Sequence, residues 1–92
     1  MSKVTTARMV VKPEAASRFV ELAKDLIIST HKETGCEIYK LYQEVGNASS
    51  FIFYEEYKDE AALDVHFKSA YLKSFLDSIQ TLLAEEVQLK VY

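Results

Sequence analysis

Phe53-Tyr54-Glu55-Glu56-Tyr57-Lys58-Asp59-Glu60-Ala61-Ala62-Leu63-Asp64-Val65-His66 is the stretch that decides the fold. Its first part is aromatic-rich and reads as the end of a strand. Its second part is helical, because Ala62, Leu63, His66 and Phe67 recur at i, i+3, i+4 spacing. Between the two, Asp59 is a natural helix N-cap, its carboxylate able to accept the orphan N–H groups of the first turn. The helical spacing puts His66 on the inward, apolar face. An imidazole held there is either a satisfied structural group or a proton-transfer group.

Upstream, the strand runs over 51–57 and pairs in a hairpin with another over 36–43, joined by a turn at 45–50 that contains Gly46 and Asn47. Gly35 separates the second strand from a helix expected over 14–31. On that helix Ala16, Phe19, Val20, Ala23, Leu26 and Ile27 share a face. Pro13 opens it, where a missing N–H costs nothing, and a β-branched strand precedes it over 4–12. Downstream, helix is expected to about Leu83, bent or restarted near Ser69-Ala70. Leu72, Phe75, Leu76, Ile79 and Leu83 form its apolar stripe. A last strand follows over 87–92. The order β-α-β-β-α-β is ferredoxin-like, an α+β fold with an antiparallel sheet, and residues 1–92 are expected to form a single domain.

One feature of this sheet points beyond a lone chain. Helices cover one face only, yet Phe51-Ile52-Phe53-Tyr54 is apolar or aromatic on both. A sheet hydrophobic on two faces needs a second cover. A second copy of the same sheet supplies one, so a homodimer closed by a twofold axis is expected.

Bulk composition sets the remaining limits. Hydrophobic residues make up 49% of the 92, which fits a packed core and argues against disorder. A net charge of −3 gives no basic patch for nucleic acid. The single cysteine, Cys36, excludes an internal disulfide and a cysteine zinc cluster, and fits a reducing, cytoplasmic setting. No apolar run reaches membrane-spanning length, and the N-terminal residues contain no signal-peptide core, so no membrane partner is expected.

Two segments carry a family resemblance. Glu33-Thr34-Gly35-Cys36-Glu37-Ile38-Tyr39 resembles the opening of the second strand in antibiotic biosynthesis monooxygenase domains. The stretch from Phe53 to Leu63 followed by His66 is similar to their most typical segment, and Lys12-Pro13 fits the end of their first strand. The resemblance implies a dimeric α+β barrel, two sheets face to face with helices outside, and a pocket between each sheet and its helices. It implies one of several activities: cofactor-independent oxygenation of a quinol or anthrone, haem degradation, or isomerisation of a phosphorylated autoinducer. Two departures bear on the choice. Position 57, often Trp in the monooxygenases, is Tyr. A second family histidine would fall at Tyr71, where a phenol is a poor base at neutral pH. The change at position 57, together with the lack of a strand asparagine, argues against haem degradation, and Tyr57 leans a little towards the isomerase.

Cofactor-free oxygenation asks little of a protein. A deprotonated phenol or hydroquinone can pass an electron to dioxygen itself. The protein binds the ring in a dry pocket, removes a proton and steadies the anion. His66 is the candidate general base. Glu55 is its candidate partner, sharing a strand face with Tyr57. Tyr39, Tyr54, Tyr57 and Tyr71 are candidates to line the substrate pocket. No cofactor and no metal are expected, since there is no phosphate loop, haem motif or ligand cluster. The isomerase alternative needs cations for a phosphate, for which Arg8 and Lys40 are the candidates. A dimeric module that binds without catalysis is the third reading. His31, expected at a helix C-terminus, and Cys36, expected as a small buried strand residue, receive no catalytic role.

Overall fold

The computed structural model describes residues 2–92. Strand β1 (Lys3–Val10) leads into a single 3-10 turn (Pro13–Ala15) and helix α1 (Ala16–Thr30). Strands β2 (Cys36–Glu44) and β3 (Asn47–Tyr57) form a hairpin. Helices α2 (Glu60–Phe67) and α3 (Ala70–Ile79) follow, and β4 (Gln88–Val91) ends the order. The sheet runs β2-β3-β1-β4, with every pairing antiparallel, so the ferredoxin-like α+β fold expected from the sequence is the one observed.

Strand ends differ from the sequence expectation by a residue or two, and larger differences have local reasons. β3 begins at Asn47, because the turn is only Val45-Gly46; Gly46 takes a φ of 88°, which a residue without Cβ tolerates. The polar Asn47-Ala48-Ser49-Ser50 run hides this strand extension from a hydrophobicity reading. The restart expected near Ser69-Ala70 is observed: Ser69 separates α2 from α3 and caps the latter, its hydroxyl accepting from the Leu72 N–H and donating to the His66 carbonyl. α3 stops at Ile79, and Leu83 instead forms a β-bridge with Val11. The first helix begins at Ala16 because Pro13 opens a 3-10 turn instead.

The core lies between the sheet and the helices. Met9, Phe51 and Phe53 from the sheet meet Phe19, Ala23 and Leu26 from α1 and Phe75 and Ile79 from α3. Phe19 stacks at 4.8 Å from Phe51, and Phe53 meets Phe75 edge-on at 5.9 Å. Burying such a side chain is worth about 1.5–3 kcal/mol, so this cluster fixes how α1 and α3 sit on the sheet. α2 packs separately, through Ala62 and Leu63 against Tyr57. Its approach depends on Gly35, where an added Cβ would lie 2.4 Å from that of Ala62. Among the described residues no helix covers the other face. There Tyr42 pairs with Ile52 and Lys40 with Tyr54, and Ile52 also faces Arg8.

Candidate functional site

β3 alternates strictly. Phe51, Phe53, Glu55 and Tyr57 are buried towards the helices, while Ile52, Tyr54 and Glu56 face outwards. Glu55 is therefore a carboxylate inside the core, 3% exposed. Burial pushes its carboxyl above the usual range, only partly offset by the hydroxyl of Tyr57. Tyr57 donates to Glu55 Oε1 at 2.6 Å, and burial beside that carboxylate pushes its own phenol well up.

His66 comes from the last turn of α2 and is 1% exposed. Its Nε2 lies 4.0 Å from Glu55 Oε1. Its Nδ1 lies 2.9 Å from Glu33 Oε2. Glu33 stands in the segment between α1 and β2, where its N–H donates to the Thr30 carbonyl and its own carbonyl accepts from the Cys36 N–H. That turn drives the side chain under α2. Tyr71, from the first turn of α3, donates its hydroxyl to the same Oε2. The other oxygen of Glu33 is buried and has no hydrogen-bond partner among the described residues.

A cavity of about 280 Å³ opens onto this group. His66, Glu55 and Tyr39 are its polar wall. Ala7, Met9, Phe53, Leu72, Phe75 and Leu89 are among the apolar residues that make the rest. Phe67 and Leu89, 40% and 52% exposed, stand among the wall residues nearest solvent. Neither lysine nor arginine reaches the wall. Among the described residues, no three His, Cys, Asp or Glu side chains gather as a metal-ligating set.

The residues singled out from the sequence are thus distributed unevenly. His66, Glu55 and Tyr39 are brought together on the cavity wall, with the Tyr39 ring 5.1 Å from the imidazole. Tyr57 and Tyr71 stand behind the two carboxylates rather than on the wall. Tyr71 reaches Glu33, not His66, and burial together with that contact pushes its phenol up to about 12. Tyr54 belongs elsewhere. Period-2 alternation puts it on the outer face, where it donates to Glu56 at 2.5 Å. Arg8 and Lys40 also face outwards, Arg8 lying 3.5 Å from Glu85, so neither serves the cavity. His31 holds the Tyr39 carbonyl at 3.1 Å, and Cys36 is half-buried with its thiol pushed up to about 11, first by burial. Glu33 is the residue that sequence reasoning did not assign a role. It sits in no periodic element. Its only signal was its place at the head of the Glu33-Thr34-Gly35-Cys36 segment.

Comparison with known proteins bears on family and fold. The uncharacterised protein sll1783 of Synechocystis is 33% identical over 89 residues, which are 97% of this chain but 60% of that protein; the chain spans about three-fifths of this relative. YcnE of Bacillus subtilis, which carries a provisional monooxygenase name, is 33% identical over 81 residues, covering 88% of this chain and 85% of its own. The crystal structure of a conserved protein from Methanosarcina mazei superposes with a TM-score of 0.95 at 36% identity, covering 100% of this chain and 91% of that one. The family description of the antibiotic biosynthesis monooxygenases matches residues 4–78, a span that runs from β1 through both carboxylates and the histidine into α3. On that match the chain belongs to the antibiotic biosynthesis monooxygenase family.

Proposed function

We propose that this protein is a cofactor-independent monooxygenase of a small quinol or phenol, with His66 as the general base and Glu55 as its partner at the reacting oxygen. One observation carries the reading: a largely apolar cavity whose polar wall holds, beside Tyr39, a buried imidazole and a buried carboxyl 4.0 Å apart. The cavity volume lies at the small end of ligand pockets, which run from roughly 300 to 1,000 Å³. An aromatic ring suits the apolar walls, and a ring hydroxyl suits the His66–Glu55 corner. His66 Nε2 takes the hydroxyl proton, leaving the electron pair on oxygen. The electron-rich anion then reduces dioxygen by one electron, the two radicals combine at a ring carbon that bears hydrogen, and the His66 imidazolium returns its proton to the peroxide. Loss of water, which breaks the O–O bond and removes the hydrogen of that carbon, leaves a carbonyl there: a phenol becomes a quinone and a hydroquinone a hydroxyquinone, with one oxygen atom in the ring and the other in water. No flavin, haem or metal is required in this sequence of steps.

Absence of a cation from the cavity wall argues against a phosphorylated substrate and hence against the isomerase reading. The wider reading includes a cytoplasmic homodimer joined through the outer sheet face. The test is oxygen uptake by the metal-free protein with a panel of hydroquinones and naphthohydroquinones. Enzyme-dependent uptake with one hydroxyquinone formed per dioxygen, and no hydrogen peroxide, is expected. Uptake no faster than autoxidation across the panel, with tight binding of a phosphorylated sugar instead, contradicts the proposal.

A further inference from the structure

Glu33 makes a contact that the general-base reading does not by itself require. A neutral imidazole has one N–H donor and one bare nitrogen, and the hydrogen bond made by one nitrogen decides the state of the other. Glu33 offers His66 a carboxylate oxygen 2.9 Å from Nδ1. A carboxylate accepts and does not donate, so Nδ1 must carry the proton. Nε2 is then the bare nitrogen, and it is the nitrogen on the Glu55 side, 4.0 Å from that carboxyl.

The second feature is imbalance. Glu33 is buried, its side chain 7% exposed. Both of its donors, His66 and Tyr71, reach one oxygen, Oε2, while Oε1 has none. A buried carboxylate served by neutral donors on one oxygen is under-compensated. A proton arriving at Nε2 turns the ring into an imidazolium and supplies the missing charge.

We propose that Glu33 is a positioning residue that acts on the substrate through His66, fixing the imidazole as the Nδ1–H tautomer and stabilising the imidazolium formed when Nε2 takes the substrate proton. This rests on the general-base reading of the cavity, but its first test does not need turnover. In a long-range nitrogen–proton correlation spectrum of nitrogen-15-labelled protein, at a pH where the ring is neutral, His66 should show Nδ1 protonated and Nε2 bare. A neutral ring with its proton on Nε2 overturns the proposal, whatever reaction the cavity runs. The second test separates charge from shape. Glu33→Gln keeps the side-chain size and an acceptor oxygen, so it should melt within a few degrees of wild type and keep the tautomer. Its kcat for oxygen uptake with a hydroquinone should fall by about 10- to 100-fold, the span of a charge-assisted hydrogen bond, with KM within about twofold. A Glu33→Gln protein with unchanged kcat reduces Glu33 to a structural tie and overturns the proposed role. Failure of every hydroquinone as a substrate counts instead against the function reading, and the tautomer measurement still decides the role of Glu33.

Discussion

Burying Glu55 beside His66 sets stability against chemistry. Its carboxyl is pushed above the ordinary range, chiefly by desolvation. The folded protein therefore binds a proton there more tightly than the unfolded chain does. Below the ordinary carboxylate range both states are protonated and the fold loses nothing. As pH rises through that range the unfolded chain ionises first, and native stability falls until the raised folded value is passed. Glu55→Gln keeps an acceptor for Tyr57 and does not titrate. It should match wild type in acid and melt higher than wild type at pH 7, while losing turnover. Melting curves from pH 4 to pH 8 check this; a Tm difference that ignores pH contradicts it. The alternation of β3 and the helical spacing of α2 made Glu55 and His66 legible in the sequence, because periodicity fixes which face a side chain takes. The same alternation, applied to Tyr54, already put it on the face opposite Glu55. Glu33 was not legible as a site residue, since a connecting segment has no period from which to read direction.

Between elements, the junction of β2 with α2 decides whether the site assembles. Gly35 is where the chain entering β2 passes under Ala62, and its carbonyl accepts from the Lys58 N–H at 2.9 Å. Gly35→Ala puts a Cβ 2.4 Å from that of Ala62, so α2 must shift outwards. Overpacking of this kind costs about 1–3 kcal/mol. The shift also carries His66 away from Glu33. A lowered Tm together with loss of the cavity activity is expected, measured by calorimetry and oxygen uptake; a variant as stable and as active as wild type contradicts this view of the junction. Helix and strand order were readable throughout, from Pro13, Gly35 and Asp59 as punctuation. Boundaries were less so. A two-residue turn at Val45-Gly46 and a polar stretch of β3 carry no apolar signal, and Leu83 fits a helical stripe while forming a bridge to Val11 instead.

At the scale of the whole molecule, the outer sheet face presents Ile38, Tyr42, Ile52 and Tyr54 with no helix over them, and Tyr42 is 50% exposed. A second copy is the proposed cover, with more than roughly 2,000 Å² buried in total, as in obligate interfaces. Ile52→Lys introduces a charge at the centre of that face. Sedimentation should show a dimer for wild type at micromolar concentration and a shift to monomer for this variant; a wild-type monomer contradicts the pairing. A structural role and a general-base role for His66 predict different things for one sample, His66→Gln, because Gln keeps hydrogen bonds but cannot carry the proton. Thermal melting and quinol turnover should be measured on that same sample. The general-base role predicts a folded protein, melting near wild type, with turnover down by about 10²- to 10⁴-fold. A folded His66→Gln protein of normal stability and undiminished turnover contradicts it.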